Sequence, residues 1–150
     1  NSDKFKIYHP SGTIGKKLIS VKDVMFSGNK IPLISENKKM SDAVIIMSKK
    51  ALGCLVAVNK KKHVKGFISD GDLRRKSKNN FMEKKVKDIM TKKPIYINED
   101  MLGEKAINIM NKKKITTLIV IGEKDYVKKN KNYVAKGIIH IHNLLDKGIQ

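Results

Sequence analysis

The sequence predicts an α+β fold in which two β-α-β-β-α repeats pack as a pseudo-two-fold pair. The prediction rests on an internal repeat, on an amphipathic helix in each half, and on apolar strands that follow each helix. The segment Val21-Lys-Asp-Val-Met25 recurs 65 residues later as Val86-Lys-Asp-Ile-Met90. Self-similarity at a fixed spacing is typical of a duplicated structural unit. We therefore place the first repeat at 21–80 and the second at 86–150, after a leading segment at 1–20.

In each repeat a short strand that contains proline, at 31–34 and at 94–97, follows the repeated segment, and a helix comes next. Apolar residues recur every three to four positions in both helical segments, which places one apolar stripe on each helix. The stripes consist of Met40, Ala43, Val44 and Met47 in the first repeat and Leu102, Ala106, Ile109 and Met110 in the second.

Two strands and a short helix complete each repeat. Runs of buried type predict strands at 54–58 and 117–121, followed by strands at 64–69 and 133–140. The connection at 59–62 has hairpin length, whereas the lysine-rich connection at 122–132 is expected to be an exposed, mobile loop. A unit of about 60 residues is marginally stable alone. We therefore expect the two sheets to pack face to face around one shared core.

Composition argues against a nucleic-acid-binding domain, which remains the least favoured alternative. The chain has 150 residues and a net charge of +19, yet arginine occurs only at Arg74 and Arg75 and aromatic residues make up 5%. Specific readers of nucleic acid favour arginine and stacked aromatic side chains, so we disfavour a nucleic-acid partner. The lysines are also scattered along the chain, for example at Lys4, Lys16, Lys38, Lys60, Lys84, Lys112 and Lys128.

The same composition bears on location. Apolar runs reach only five residues, which argues against a membrane span. The single cysteine, Cys54, excludes an intramolecular disulfide and favours a reducing, cytoplasmic location. Because the sequence starts at Asn1 rather than at methionine, we expect a fragment of a longer protein.

The segment Gly66-Phe-Ile-Ser-Asp-Gly-Asp72 follows the pattern G-x-(I/V)-(S/T)-x-x-D. This pattern, inside the repeat described above, resembles the CBS domain, and two in tandem resemble a CBS pair, or Bateman module. The resemblance implies that Asp72 accepts hydrogen bonds from ribose hydroxyls and that Ser69 lies near a phosphate. It also implies backbone contacts to a base, and an arginine that could clamp phosphate. The residues concerned are Leu52, Gly53 and Cys54 for the base and Arg74 and Arg75 for the phosphate.

A purely structural reading of the same residues stays open. Asp72 near a helix N-terminus would cap free backbone N–H groups. The two arginines would form a solvated helix end, and Cys54 would be a small buried apolar residue.

The second repeat departs from the signature, because His140 replaces Ser/Thr and Asn143 replaces Asp. A second site there is either empty or selective for a different ligand. Its candidate residues are Thr116, Thr117, His140, His142 and Asn143. If the strand continues, His140 and His142 share one face, and a hydrogen-bonded pair near the cleft is favoured over a metal pair. We expect no cofactor and no metal.

Residues 9–18 read His-Pro-Ser-Gly-Thr-Ile-Gly-Lys-Lys-Leu. They resemble the HPxGxLGxxL segment that ends the sugar-isomerase (SIS) domain of arabinose-5-phosphate isomerases of the KpsF/GutQ type, which carry a CBS pair after it. Residues 70–75 and 140–145 are similar to the same enzymes. The resemblance implies a parent enzyme that interconverts ribulose 5-phosphate and arabinose 5-phosphate for Kdo and lipopolysaccharide synthesis. His9 matches an active-site histidine of that family, but without the upstream domain we expect no catalysis by this chain.

The resemblance also implies partners. They are an upstream SIS domain, a homodimer formed through CBS pairing, a tetrameric parent, and an effector that is an adenine nucleotide or a CMP-sugar such as CMP-Kdo. An effector in the cleft between the repeats would act through the linker from Lys16 to Val21. The alternative is a structural module that joins subunits and binds no ligand.

Overall fold

The computed structural model describes residues 18–128 and 132–150, so His9 lies outside the described residues. The helices are α1 (Val21–Val24), α2 (Met40–Lys50), α3 (Asp70–Lys76), α4 (Val86–Ile89), α5 (Gly103–Lys113), α6 (Glu123–Lys128) and α7 (Ile141–Leu145). The strands are β1 (Phe26–Ser27), β2 (Leu33–Ser35), β3 (Cys54–Val58), β4 (Val64–Ser69), β5 (Tyr96–Asn98), β6 (Thr117–Ile121) and β7 (Gly137–His140). The predicted α+β class with two similar repeats is confirmed.

Each repeat builds one sheet with the same pairing. The first sheet has the order β2-β3-β4, with β2 parallel to β3 and β3 antiparallel to β4. The second has the order β1-β7-β6-β5, in which β5, β6 and β7 repeat that arrangement. Strand β1 is added antiparallel to β7, with Phe26 opposite Ile138. The opening segment of the first repeat therefore extends the sheet of the second.

The two sheets share an apolar layer, as the sequence predicts. Both faces of β3 and β6 are buried, because one face packs on helices and the other on the opposite sheet. The layer between the sheets includes Cys54, Val56, Val58, Ile119, Ile121 and Ile138. Burial of such apolar area is the main force that holds the repeats together.

Three local predictions are wrong for identifiable reasons. Leu102 does not enter the apolar stripe of α5: it precedes the helix, pairs with Ser20 in an isolated bridge and is 44% exposed. The strand predicted at 133–140 begins only at Gly137, because the Tyr133 carbonyl oxygen instead accepts a hydrogen bond from the Val64 N–H of the first sheet, at 2.7 Å.

The third difference is α6, which lies within the predicted loop at 122–132. Glu123 and Asp125 stand in its first turn and Lys128 in its last, an arrangement that complements the helix dipole. The Glu123 N–H donates to Oε2 of Glu99 at 3.1 Å, which holds the start of this exposed helix against the second repeat.

The repeated opening segments pack on the opposite repeats. Val86, in α4, is buried in the core of the first repeat, and Val21, in α1, in the core of the second. Their N–H groups donate to Lys38 and Met101 carbonyl oxygens, each at 2.8 Å. Each repeat therefore contributes one helix to its neighbour's core.

Gly66 and Gly137 make this exchange possible. A Cβ on Gly66 would overlap the Met90 side chain and lie 2.9 Å from the Thr91 carbonyl oxygen. A Cβ on Gly137 would overlap the Met25 side chain and lie 2.7 Å from the carbonyl oxygen of Phe26, the residue after Met25. The crossing segment thus needs glycine at both positions, and the signature glycine has a packing role.

We expect Gly66→Ala and Gly137→Ala each to lower the free energy of unfolding by about 1–3 kcal/mol, the usual cost of overpacking. Urea denaturation followed by circular dichroism measures the change. Gly71→Ala is the matched control, because the nearest atom to its Cβ is the tip of the exposed Arg75 side chain. Equal stability of all three variants would contradict the role assigned to these two glycines.

Candidate functional site

A cleft of about 520 Å³ lies between the repeats, where β4 ends and α3 begins. Its volume suits one small organic ligand. Most of the predicted site residues line it: Leu52, Gly53, Ser69, Asp72, Arg74 and Arg75 from the first repeat, and Thr116, Thr117 and His140 from the second. The structure therefore brings the two predicted half-sites into one continuous space.

Cys54, His142 and Asn143 are not among the residues that line the cleft. Cys54 is fully buried in the layer between the sheets, as its structural reading predicts. Burial raises the pKa of the Cys54 thiol to about 12, although a hydrogen bond with Thr117 opposes the shift. The thiol is therefore protonated at neutral pH.

Ser69 and Asp72 form a reciprocal cap at the start of α3. Asp72 Oδ2 accepts from the Ser69 N–H at 2.9 Å and from its hydroxyl at 3.2 Å, and the Asp72 N–H donates to Ser69 Oγ at 3.2 Å. The N–H groups around the start of α3 have no partner within the helix. Ser69, which ends β4, and Asp72 supply side-chain acceptors for them, so the cap forms at this point of the chain. Asp72 is buried, with 8% of its side chain exposed, so the cap fixes the carboxylate at the edge of the cleft.

The second oxygen of that carboxylate, Oδ1, accepts from Arg75 Nη2 at 2.9 Å. The Arg75 side chain is 68% exposed, and an ion pair with one arm in water contributes little to stability. Arg75 can therefore move aside and leave Oδ1 to a ligand hydroxyl, or turn its own charge toward a ligand anion.

Two loops of equivalent geometry close the cleft. The Asp70 N–H donates to the Gly53 carbonyl oxygen at 3.0 Å, and the Ile141 N–H donates to that of Thr116 at 2.8 Å. Gly53 has φ +70, and a Cβ there would lie 2.8 Å from Asp70 Oδ2. Glycine thus lets the chain before β3 approach the start of α3.

His140 takes the place of Ser69 in the second repeat. Its Nδ1 accepts from the His142 N–H at 3.1 Å, and its own N–H donates to Asn143 Oδ1 at 2.8 Å. The cap is thus rebuilt from neutral groups. Burial, and then the neighbouring His142, lower the pKa of His140.

The shared strand face of the two histidines depended on a continuing strand, and that condition is not met, because β7 ends at His140 and α7 begins at Ile141. The rings of His140 and His142 stack nevertheless, 4.9 Å apart and 16° from parallel. In residues 18–128 and 132–150 no group of three or more His, Cys, Asp or Glu side chains is arranged to hold a metal ion.

Sequence reasoning missed a further set of lining residues. They are Phe67, Asp70, Gly71, Thr91, Lys93, Pro94, Ile95, Lys114, Ile115 and Ile119. The segment at 91–95 reaches the cleft because Thr91 and Phe67 exchange two backbone hydrogen bonds, at 3.0 and 2.8 Å. The match of Val86 to Val21 could have indicated that this segment crosses to the other repeat.

The fold and the cleft agree with a comparison of sequence families. The model of the CBS domain matches residues 21–79 and 86–149. This chain belongs to the CBS domain family. The two matched repeats form a CBS pair, and the crossing helices, the signature glycine and the cap at Ser69 are features of this pair.

Two curated relatives resemble the CBS pair along nearly all of its length. The uncharacterized protein RP505 of Rickettsia prowazekii is 41% identical over 147 residues, which cover 98% of this chain and 43% of that protein. Arabinose 5-phosphate isomerase KdsD of Yersinia pestis is 30% identical over 150 residues, again 98% of this chain and 43% of that protein. The chain thus spans less than half the length of these relatives.

Solved CBS structures share the fold. A CBS domain-containing protein of unknown function from Bacillus anthracis has a TM-score of 0.72 at 15% identity, over 90% of this chain and 96% of that one. The CBS domain of a bacterial CNNM/CorC family Mg²⁺ transporter in complex with ATP has a TM-score of 0.72 at 14% identity, over 97% of this chain and 96% of that one. The CBS pair of protein MJ0100 in complex with 5′-methylthioadenosine and S-adenosyl-L-methionine has a TM-score of 0.71 at 20% identity, over 86% of this chain and 94% of that one.

Within residues 18–128 and 132–150, no helix of the CBS pair is both long enough and apolar enough to cross a membrane.

We expect Asp72→Ala to lower the free energy of unfolding by about 1 kcal/mol through loss of the cap. Asp72→Asn should leave it nearly unchanged, because an amide oxygen already fills this role at Asn143. Thermal and urea melts of both variants measure the difference. Equal destabilisation by both would show that the negative charge, rather than the cap, stabilises α3.

Proposed function

We propose that this CBS pair binds a nucleotide in the cleft between its repeats and regulates an arabinose-5-phosphate isomerase of which it forms the C-terminal part. The observation that carries the proposal is the Asp72 carboxylate, held by its cap at the edge of a ligand-sized cleft. Arg74 and Arg75 line the same space.

The chemistry of these groups suits a nucleotide. A carboxylate only accepts hydrogen bonds, which matches the two hydroxyls of a ribose diol. Guanidinium groups match phosphate with paired N–H donors. Support also comes from the CBS structures similar in fold, which hold ATP in one case and 5′-methylthioadenosine with S-adenosyl-L-methionine in the other. An adenine nucleotide is therefore the first effector to test, and CMP-Kdo, as an end product of the pathway, is the second.

The proposed parent is supported by the similarity to KdsD, which extends over 98% of this chain. We place the complete protein in the cytoplasm, as a tetramer whose subunits pair through their CBS repeats, with an SIS domain upstream. An effector regulates such an enzyme only if it binds two conformations of the whole protein with different affinity. The linker before Val21 is the path by which the cleft would bias the upstream domain.

A structural role without a ligand is the second candidate. It is favoured by the fact that both oxygens of the Asp72 carboxylate already have partners within α3 and its cap. In the second repeat, Asn143 also has its oxygen occupied, by the His140 N–H. On this reading the caps only hold the helices, and the CBS pair joins subunits.

Isothermal titration with AMP, ATP and CMP-Kdo decides between these candidates. We expect Asp72→Asn to weaken nucleotide binding about tenfold to a hundredfold, since a hydrogen bond to a charged group contributes about 1.5–3 kcal/mol. Asn143→Ala is the matched control and should have little effect, because Asn143 does not line the cleft. Loss of nucleotide binding in Asn143→Ala alone would show that the site lies in the second repeat and not at Asp72. No binding of any nucleotide by the unmodified chain would favour the structural role.

We expect this chain by itself to give no isomerase turnover, because proton transfer needs a base held within hydrogen-bond reach of the substrate carbon acid. The resemblance assigns that base to the SIS domain rather than to the CBS pair. The assay is incubation with ribulose 5-phosphate followed by detection of arabinose 5-phosphate. Turnover above a heat-denatured sample would contradict the assignment of catalysis to the upstream domain.

A further inference from the structure

The segments that open the two repeats meet the opposite repeats at two equivalent backbone junctions. Each junction contains an isolated antiparallel bridge: Lys39 with Lys85 in one, and Leu102 with Ser20 in the other. Beside each bridge an N–H at the start of a helix donates to a carbonyl oxygen at 2.8 Å, in the pairs Met40–Lys84 and Gly103–Ile19. The two junctions therefore have the same backbone contacts.

The side chains at the two junctions differ in kind. The first, which we call the lysine junction, carries four exposed lysines: Lys38, Lys39, Lys84 and Lys85. The second, which we call the apolar junction, carries three apolar residues and one serine at the equivalent positions: Met101, Leu102, Ile19 and Ser20. Because lysines are accommodated at the first junction, the backbone contacts alone do not require an exposed leucine at the second.

The apolar junction leaves leucine side chains in water. Leu102 is 44% exposed, and Leu18, which stands two residues before Ser20, is 68% exposed. An ion pair between Lys22 and Asp100, at 2.6 Å, lies beside them, since these residues follow Ser20 and precede Leu102 by two positions. Exposed apolar side chains with a polar rim are typical of a surface that contacts another protein.

The chain that leads into the apolar junction indicates what covers it. Leu18 is the last residue of the segment 9–18, which resembles the end of an SIS domain. Only Ile19 and Ser20 separate Leu18 from Val21, where α1 begins. Two residues span at most about 7 Å, so a domain that ends at Leu18 stands directly beside the exposed leucines. A partner held so close has a high effective concentration, and a small apolar contact is enough to dock it.

The apolar junction is also one short helix away from the cleft. Helix α7 begins directly after His140, which lines the cleft. Leu144 of the same helix lies 2.9 Å from the place where a Cβ on Gly103 would stand, and Gly103 follows Leu102 directly. Packed side chains of this kind connect the cleft to the surface at Leu102.

We propose that the upstream SIS domain packs on the apolar junction, and that the cleft acts on the enzyme through this contact instead of through a flexible linker. The inference rests on the proposed function for the identity of the upstream domain. The equivalent lysine junction stays in water, because no part of the chain that could cover it ends there. The two repeats thus divide the work: the second carries the enzyme, and the first does not.

The test is hydrogen–deuterium exchange of the complete protein and of the 150-residue chain, measured at 99–105 and at the equivalent segment 36–42. We expect the amides of 99–105 to exchange about tenfold or more slowly in the complete protein, because docking covers them, and those of 36–42 to exchange alike in both. Leu102→Lys introduces the residue found at the equivalent position, Lys39, so the repeat should fold normally while the protection at 99–105 is lost.

Ile45→Lys is the matched control, because it makes a similar change at an exposed apolar residue of α2 and should leave the exchange at 99–105 as it is. In Leu102→Lys, nucleotide affinity should stay within about twofold of the unmodified protein, since Leu102 does not line the cleft. The effect of the nucleotide on isomerase activity should disappear in this variant.

Equal exchange of 99–105 in the complete protein and the chain, or protection that survives Leu102→Lys, would overturn the inference. Protection of 99–105 that rises with the concentration of the 150-residue chain would also overturn it, because a second copy would then cover the leucines. A complete protein without isomerase activity, or without a response to any nucleotide, would refute the proposed function, whereas the exchange data would still decide whether the upstream domain docks here.

Discussion

The close passage of one backbone over another at Gly66 and Gly137 is the constraint on which the rest of the molecule depends. At each crossing a methionine and a carbonyl oxygen of one repeat lie where any Cβ of the other would stand. This contact lets α1 and α4 enter the opposite cores. At Gly66 it also brings the 91–95 segment beside β4, so the cleft is built from both repeats at once.

The two caps show how one backbone geometry tolerates different chemistry. Ser69 with Asp72, and His140 with Asn143, satisfy equivalent N–H groups at equivalent helix starts. Capping requires an oxygen or nitrogen acceptor but no charge. The charge can therefore differ between the repeats without a change of fold, and the asymmetry of the cleft follows from that freedom.

The features that the sequence predicts correctly are those that a local pattern of residues determines. Strands β3, β4 and β6 have the predicted bounds, because their apolar runs end at polar turns. The partner of β1 is set by tertiary packing, since a strand of two residues carries no periodicity of its own. Among the site residues, Ser69 and Asp72 stand in one short motif, whereas Lys93 and Lys114 are far from it in sequence. The crossing of the segments brings Lys93 to the cleft, and Lys114 reaches it from the end of α5, so the local motif at Ser69 and Asp72 identifies neither lysine.

The pairing of Phe26 with Ile138 joins the beginning of the described chain to its last strand. The residues around Val21 and Met25 leave the ribosome before β6 and β7 have been synthesised. Their apolar side chains therefore lack their native partners in the nascent chain. Contacts so distant in sequence close late and slow folding. The first repeat needs only the chain up to Met90 to complete its own core. The first repeat can therefore assemble during translation, whereas the second sheet forms only after β7 has been synthesised.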